Sequence, residues 1–245
     1  FSDYWFQASG MSSLPDNYVR FTGGVTEGDC GTHSIDCNSF VMNTDLNSPS
    51  NRAAVLTQCG YFTIKKVADR QVRVGLPNLE LRHAWAYLLS NRIRDESGIS
   101  HELTDSLEDA SAALHKKDFS ADELTVLFNS IYKVLNSSNK IGNEYAACDT
   151  PALYCLGSGY DVRTEVPEKG GRADLTFEFM DRRIIIEMKC VREGESAETK
   201  LREAESQVLA HDYGSYIPVK PLRRFAMVFS VPLQKIVLAK EITAG

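Results

Sequence analysis

The sequence has no run approaching the ~20 apolar residues that cross a bilayer, and no signal-peptide pattern opens it; a cytoplasmic chain without membrane contact is expected. No GxxxxGK[ST] phosphate loop occurs, which excludes ATP binding by that device in the chain as it stands. Its six cysteines form no CxxC pair, so free thiols are expected. Cys30, His33 and Cys37 suggest zinc, but the set is incomplete and lies in a Gly/Ser/Asn-rich segment. A basic excess is also missing. With 27 Lys and Arg against 33 Asp and Glu the net charge is −6, which excludes a generally basic nucleic-acid binder but not a local basic surface. The chain opens on Phe1 rather than Met, and reads as a piece of a longer protein or as one whose start is disordered.

What is present is a globular composition. Hydrophobic residues make up 43% of 245 positions, ample for a core in one large domain or two small ones. Residues 171–245 hold 12 Lys and Arg against 11 Asp and Glu, so the acidity lies earlier and the C-terminal part is compatible with a polyanionic substrate. Residues 1–50 begin aromatic (Tyr4, Trp5, Phe6), and the Gly, Ser, Asn and Asp from 22 to 51 predict a long loop. A short helix and two strands, Tyr61–Val67 and Gln71–Val74, are expected next, with Leu76-Pro77-Asn78 as stop and helix cap. Apolar residues at 81, 84, 85, 88 and 89 predict a helix over 79–94, followed by helices near 103–116 and 120–136. Ser137-Ser138-Asn139-Lys140 reads as a linker. Beyond it the pattern predicts a helix over 143–157, strands Tyr160–Val166, Ala173–Phe179 and Arg183–Lys189, a polar helix over 196–211, and strands near Phe225–Val231 and Ile236–Leu238. The expected fold class is α/β (α+β), with a mixed central sheet flanked by helices in a domain over 139–245, preceded by a mostly helical region over 1–138.

Residues 171–189, GRADLTFEFMDRRIIIEMK, set a puzzle: a carboxylate and a lysine end an apolar strand, where charge is costly. A tight turn at 180–182 between antiparallel strands would place Asp174 beside Glu187. Two hard oxygen ligands suit Mg²⁺ or Mn²⁺ rather than zinc. Lys189 follows Glu187 by two residues, so both side chains share one face of a strand. The chemistry this permits is phosphodiester hydrolysis: a cation holds the phosphate and lowers the pKa of a water, and Lys189 positions or deprotonates that water and offsets charge. The plain alternative is a surface salt bridge between Glu187 and Lys189. The Ile184-Ile185-Ile186 run and the second carboxylate argue against it.

Gly171-Arg172-Ala173-Asp174 followed by Ile185-Ile186-Glu187-Met188-Lys189 resembles the PD-(D/E)XK nuclease superfamily. More narrowly, the chain resembles the nuclease domain at the C-terminus of bacterial AAA-ATPase-like proteins. Gly60-Tyr61-Phe62-Thr63-Ile64, Leu76-Pro77-Asn78-Leu79-Glu80, Tyr4-Trp5-Phe6 and the Gly159–Glu165 strand are similar to further segments of that family. The resemblance implies a restriction-endonuclease-like core, with the first 138 residues holding the end of an ATPase-like module. It implies a Mg²⁺- or Mn²⁺-dependent nuclease acting on nucleic acid, DNA before RNA, in bacterial defence, with a partner ATPase or self-association. By the same resemblance Asp174 and Glu187 are metal ligands, Lys189 is the catalytic lysine, and Glu144 is an acidic residue beside the metal. Gln207 and Tyr213 contact substrate or brace the site, and Arg172 contacts phosphate or holds a carboxylate. The alternative function is a catalytically silent module of the same fold that works through a partner protein, with the helical stretch 79–136 as its interaction surface.

Overall fold

The computed structural model of the chain describes residues 32–37, 49–96, 107, 110–116, 118–135, 140–168, 170–213 and 220–243. Tyr4, Trp5, Phe6, Cys30, residues 137–139 of the linker and residues 103–106 of the expected 103–116 helix lie outside the described residues. Contacts divide the chain into two units, Phe1–Arg92 with Leu156–Gly159, and Ile93–Cys155 with Tyr160–Gly245.

In the first unit, β1 (Thr32–Asp36), α1 (Pro49–Gln58), β2 (Thr63–Ala68), β3 (Gln71–Gly75) and α2 (Leu79–Glu96) follow in order. The sheet is antiparallel in the order β1-β3-β2. β2 and β3 form a hairpin whose corner is Asp69, at a positive φ of 53° that an Asp tolerates better than most residues. Val72 and Val74 are buried while Gln71 and Arg73 are exposed, the alternation of a strand with one wet face. β1 corrects the loop expected over 22–51. Among its residues with described side chains, Ile35 is the buried one, between polar neighbours, so no alternation was visible and its pairing with β3 decides its structure. Asn78 caps α2 by accepting the Leu81 N–H at 2.9 Å, as the Leu-Pro-Asn stretch predicts. Trp85 is fully buried, with Tyr61 and Phe62 each 6.1 Å away between ring centroids.

The second unit holds a 3₁₀ turn at Ala112–His115, then α3 (Ala121–Leu135), α4 (Glu144–Gly157), β4 (Asp161–Glu168), β5 (Gly171–Glu178), β6 (Arg183–Val191), α5 (Ala197–His211), β7 (Leu222–Ser230) and β8 (Lys235–Glu241). Its five-stranded sheet runs β4-β5-β6-β7-β8, parallel only between β6 and β7. A parallel pair needs a crossover, and α5 supplies it. Ser196 caps α5 through its side chain, and Ala204 and Val208 are buried against Ala226 of β7. Ser120 and Glu123 make a capping box at α3: Glu123 Oε2 accepts from Ser120 N at 2.8 Å and Ser120 Oγ accepts from Glu123 N at 3.1 Å. Asn129 of α3 then binds both backbone groups of Ile236, tying the helix to edge strand β8.

α4 continues through Pro151, which has no N–H to offer Ala147 O one turn earlier. The hydroxyl of buried Tyr132 donates to that carbonyl at 2.6 Å instead, so the acceptor is satisfied and the helix survives. At the centre, Ile184, Ile185, Ile186 and Met188 of β6 are at most 1% exposed. The Ile-Ile-Ile run is the rigid middle of the sheet. The two expected strand ends at Val166 and Ala173 each extend by two residues, to Glu168 and from Gly171.

Candidate active site

The β5–β6 hairpin is closed by Phe179 N donating to Arg182 O at 2.9 Å, and its register runs from Glu178↔Arg183 to Leu175↔Ile186. One step further, Asp174 stands against Glu187. Backbone pairing has stopped there, and Asp174 Oδ2 accepts the Met188 N–H at 2.8 Å. The side chain thus does what the ladder no longer does, and the carboxylate is fixed against the end of β6. On β6, Glu187 and Lys189 share a face, with Nζ donating to Oε1 at 2.9 Å. This is no surface ion pair: Glu187 is completely buried and Lys189 mostly so.

Asn143 caps α4 by accepting the Ala146 N–H at 2.8 Å, which sets Glu144 in the first turn. Glu144 Oε1 accepts from Cys190 N at 3.3 Å, and its Oε2 is 3.7 Å from Lys189 Nζ. Lys189 therefore lies between two carboxylates. Asp174, Glu187, Lys189 and Glu144, expected together, are brought together.

Tyr213 is 1% exposed and its hydroxyl donates to Arg172 O at 3.1 Å, with Gln207 Nε2 donating to that hydroxyl at 3.4 Å. The pair lies at the edge of the cleft in a bracing arrangement, tying the end of α5 to the start of β5. Arg224 holds the same corner by donating to Tyr213 O and to Asp212 Oδ1, both at 2.8 Å. Gly170 and Gly171 allow this approach. A Cβ on Gly170 would lie 2.7 Å from His211 O, and one on Gly171 3.1 Å from the Tyr213 hydroxyl. Arg172 is ion-paired through Nε with Glu165, and Glu165 sits at φ 55° within β4, a conformation costing roughly 1–3 kcal/mol in a non-glycine residue.

Glu144, Glu165, Arg172, Asp174, Lys189, Gln207 and Tyr213 line one cleft of about 630 Å³, which also receives Tyr145, Arg192 and His211, while Glu187 lies buried behind it. Glu165, Tyr145, Arg192 and His211 were not assigned a role from sequence. The hairpin count that places Asp174 against Glu187 also places Glu165 against Asp174 across β4–β5, and that signal was available.

Burial first, then the charge of Asp174, pushes the Glu187 carboxyl up to about 8, against the lowering effect of Lys189. Burial also raises Asp174, partly countered by the Met188 N–H and the Lys189 charge. For Lys189 burial pulls the ammonium down, but the hydrogen bond it donates to Glu187 and the charges of Glu187, Glu144 and Asp174 prevail and hold it above the ordinary lysine range. Glu187 Oε2 is buried with no hydrogen-bond partner. A buried carboxylate oxygen without a donor, beside a second carboxylate, is a costly arrangement that a divalent cation relieves. No group of three or more His, Cys, Asp or Glu among the described residues forms a metal cage. The donor set is two carboxylates, which fits Mg²⁺: it takes one or two and keeps several waters. It does not fit zinc. In the suggested zinc segment, His33 stacks on Phe62 with centroids 5.2 Å apart, and Cys37 is a free thiol.

Residues 145–236 match the family model of the PD-(D/E)XK nuclease superfamily. The matched segment runs from α4 into β8 and contains Arg172, Asp174, Glu187, Lys189, Gln207 and Tyr213. Glu144 precedes it by one residue, and the GYFTI and LPN stretches lie outside it. No curated protein and no solved structure matches the chain. Among the described residues no helix is long and apolar enough to cross a membrane.

Proposed function

We propose that the α4–β8 segment is a Mg²⁺- or Mn²⁺-dependent nuclease that hydrolyses phosphodiester bonds in nucleic acid, DNA before RNA. The observation that carries the reading is the buried, half-unsatisfied Glu187 carboxylate beside Asp174, with Lys189 2.9 Å away. Asp174 and Glu187 would hold the cation. When bound, it supplies a polarised phosphate and a water of lowered pKa.

The chain's own groups do the rest. The Met188 N–H holds the Asp174 carboxylate and Lys189 Nζ holds Glu187 Oε1, so the two groups are oriented before substrate arrives. Lys189 is held at 2.9 Å by Glu187 Oε1 on its own strand. It is placed to orient or deprotonate the attacking water and to offset the charge developing on phosphate. Glu144 holds Lys189 from the other side. Arg172, exposed at the cleft, is suited to grip a phosphate oxygen.

The test is a panel of single- and double-stranded DNA and RNA incubated with the purified chain and Mg²⁺, Mn²⁺ or EDTA. Cleavage of at least one substrate that EDTA abolishes is the expected result. No cleavage of any substrate with either metal would reject the reading.

A further inference from the structure

Glu165 is an odd choice for its position. The backbone there is left-handed, which favours Gly, Asn or Asp, yet the residue is a glutamate inside a strand. The β4–β5 ladder pairs Thr164 with Leu175 and Val166 with Ala173, and skips the Glu165–Asp174 step between them. Its side chain is 27% exposed, lines the same cleft as Asp174 and Lys189, and is ion-paired through Oε2 with Arg172 Nε, a charge contact that makes no hydrogen bond. Arg172 is 65% exposed, and its Tyr213 bond uses only the main-chain carbonyl. No hydrogen bond within the described residues engages its two terminal nitrogens.

An arginine whose Nε side faces a carboxylate keeps its forked Nη edge for a second anion, and that fork matches two phosphate oxygens. We infer that Glu165 is a positioning residue: its strained backbone places a carboxylate on Arg172 Nε, so that the Nη fork is presented ready-oriented to a substrate phosphate. The inference rests on the nuclease reading and concerns substrate binding rather than the bond-breaking step. It also accounts for a glutamate at a position where a glycine would sit without strain. A glycine gives the backbone its φ but leaves the guanidinium loose.

The experiment compares the wild-type chain with Glu165→Gln, Glu165→Gly, Arg172→Ala and the Glu165→Gln/Arg172→Ala double variant. Cleavage is followed with Mg²⁺ for kcat and KM. Binding of a fluorescein-labelled oligonucleotide is followed by anisotropy with Ca²⁺ in place of Mg²⁺. Glu165→Gln is expected to raise KM and Kd about tenfold with kcat within about threefold, the effect of one lost charge-assisted anchor. Arg172→Ala is expected to do the same, and the double variant no worse than Arg172→Ala, because both act through one contact. Glu165→Gly is expected to melt no lower than wild type while binding as poorly as Glu165→Gln. Wild-type affinity in Glu165→Gln, additive losses in the double variant, or a loss confined to kcat would overturn the inference while leaving the nuclease reading intact. A wild-type chain that neither cleaves nor binds any oligonucleotide would reject both.

Discussion

The carboxylate of Asp174 accepts the backbone N–H of Met188 at 2.8 Å, joining the start of β5 to the end of β6 at the point where their backbone ladder has stopped. One side chain thereby serves structure and chemistry together, and substitutions can separate the two. Asp174→Ala leaves the Met188 N–H without an acceptor, an expected loss of about 1–3 kcal/mol relative to Asp174→Asn, whose amide oxygen can still accept. Both variants are expected to lose cleavage. Urea denaturation of the pair, beside a cleavage assay, checks this; equal stability would mean that the bond contributes nothing to the fold.

Glu187 gives a pH prediction. Its carboxyl titrates near 8 in the folded chain against 4.5 when unperturbed, so between those values the folded state binds more protons than the unfolded one. Stability from this group is therefore full below about pH 4.5 and lost as pH rises through 8. Without divalent metal, the urea midpoint is expected to fall from pH 5.5 to pH 8.5, and to fall less in Glu187→Gln. A decline of equal size in both proteins would count against a raised Glu187.

Divalent metal should reverse that cost. A cation that binds only the folded chain raises its stability by mass action, and it competes with the proton on Glu187. Mg²⁺ or Mn²⁺ is expected to raise the melting temperature more at pH 8 than at pH 6, with no rise in an Asp174→Asn/Glu187→Gln variant. Calorimetric titration of the same proteins reports the binding directly; metal bound equally by the double variant would place the site elsewhere.

The corner between α5 and β5 is expected to be intolerant of volume. Gly170→Ala places a Cβ 2.7 Å from His211 O, a clash with backbone rather than with a yielding side chain, and a loss of about 1–3 kcal/mol is expected. Tyr213→Phe removes the hydroxyl that bonds Arg172 O, and about 1 kcal/mol is expected to go with it. Thermal melts of both variants test the corner, and wild-type melting in Gly170→Ala would contradict the close approach.

Much of this was legible in the sequence because the informative elements are local. The Ile184–Ile186 run indicates a central strand. A turn at 180–182 brings Asp174 to within one residue of Glu187, and the observed register, with Glu178 against Arg183, settles which residue Asp174 faces. Lys189 follows from strand alternation alone. Glu144 is set by the Asn143 cap, a one-turn signal. β1 was hidden because Ser34 and Asp36 flank its buried Ile35, and partner β3 is more than thirty residues away in sequence. The Glu165 conformation left no mark in composition, since a left-handed glutamate is a choice the surroundings impose. Nor could the pattern show that Tyr213 braces Arg172, because that contact spans 41 residues and depends on two glycines allowing a helix end to approach.

The most direct test of the central claim is the cleavage rate of a nucleic-acid substrate with Mg²⁺ by the wild-type chain and by Lys189→Ala, each shown to be folded. If Lys189, between Glu187 and Glu144, orients or deprotonates the attacking water, the variant is expected to cleave about 10²-fold or more slowly while melting within a few degrees of wild type. Cleavage at the wild-type rate by folded Lys189→Ala would contradict the account.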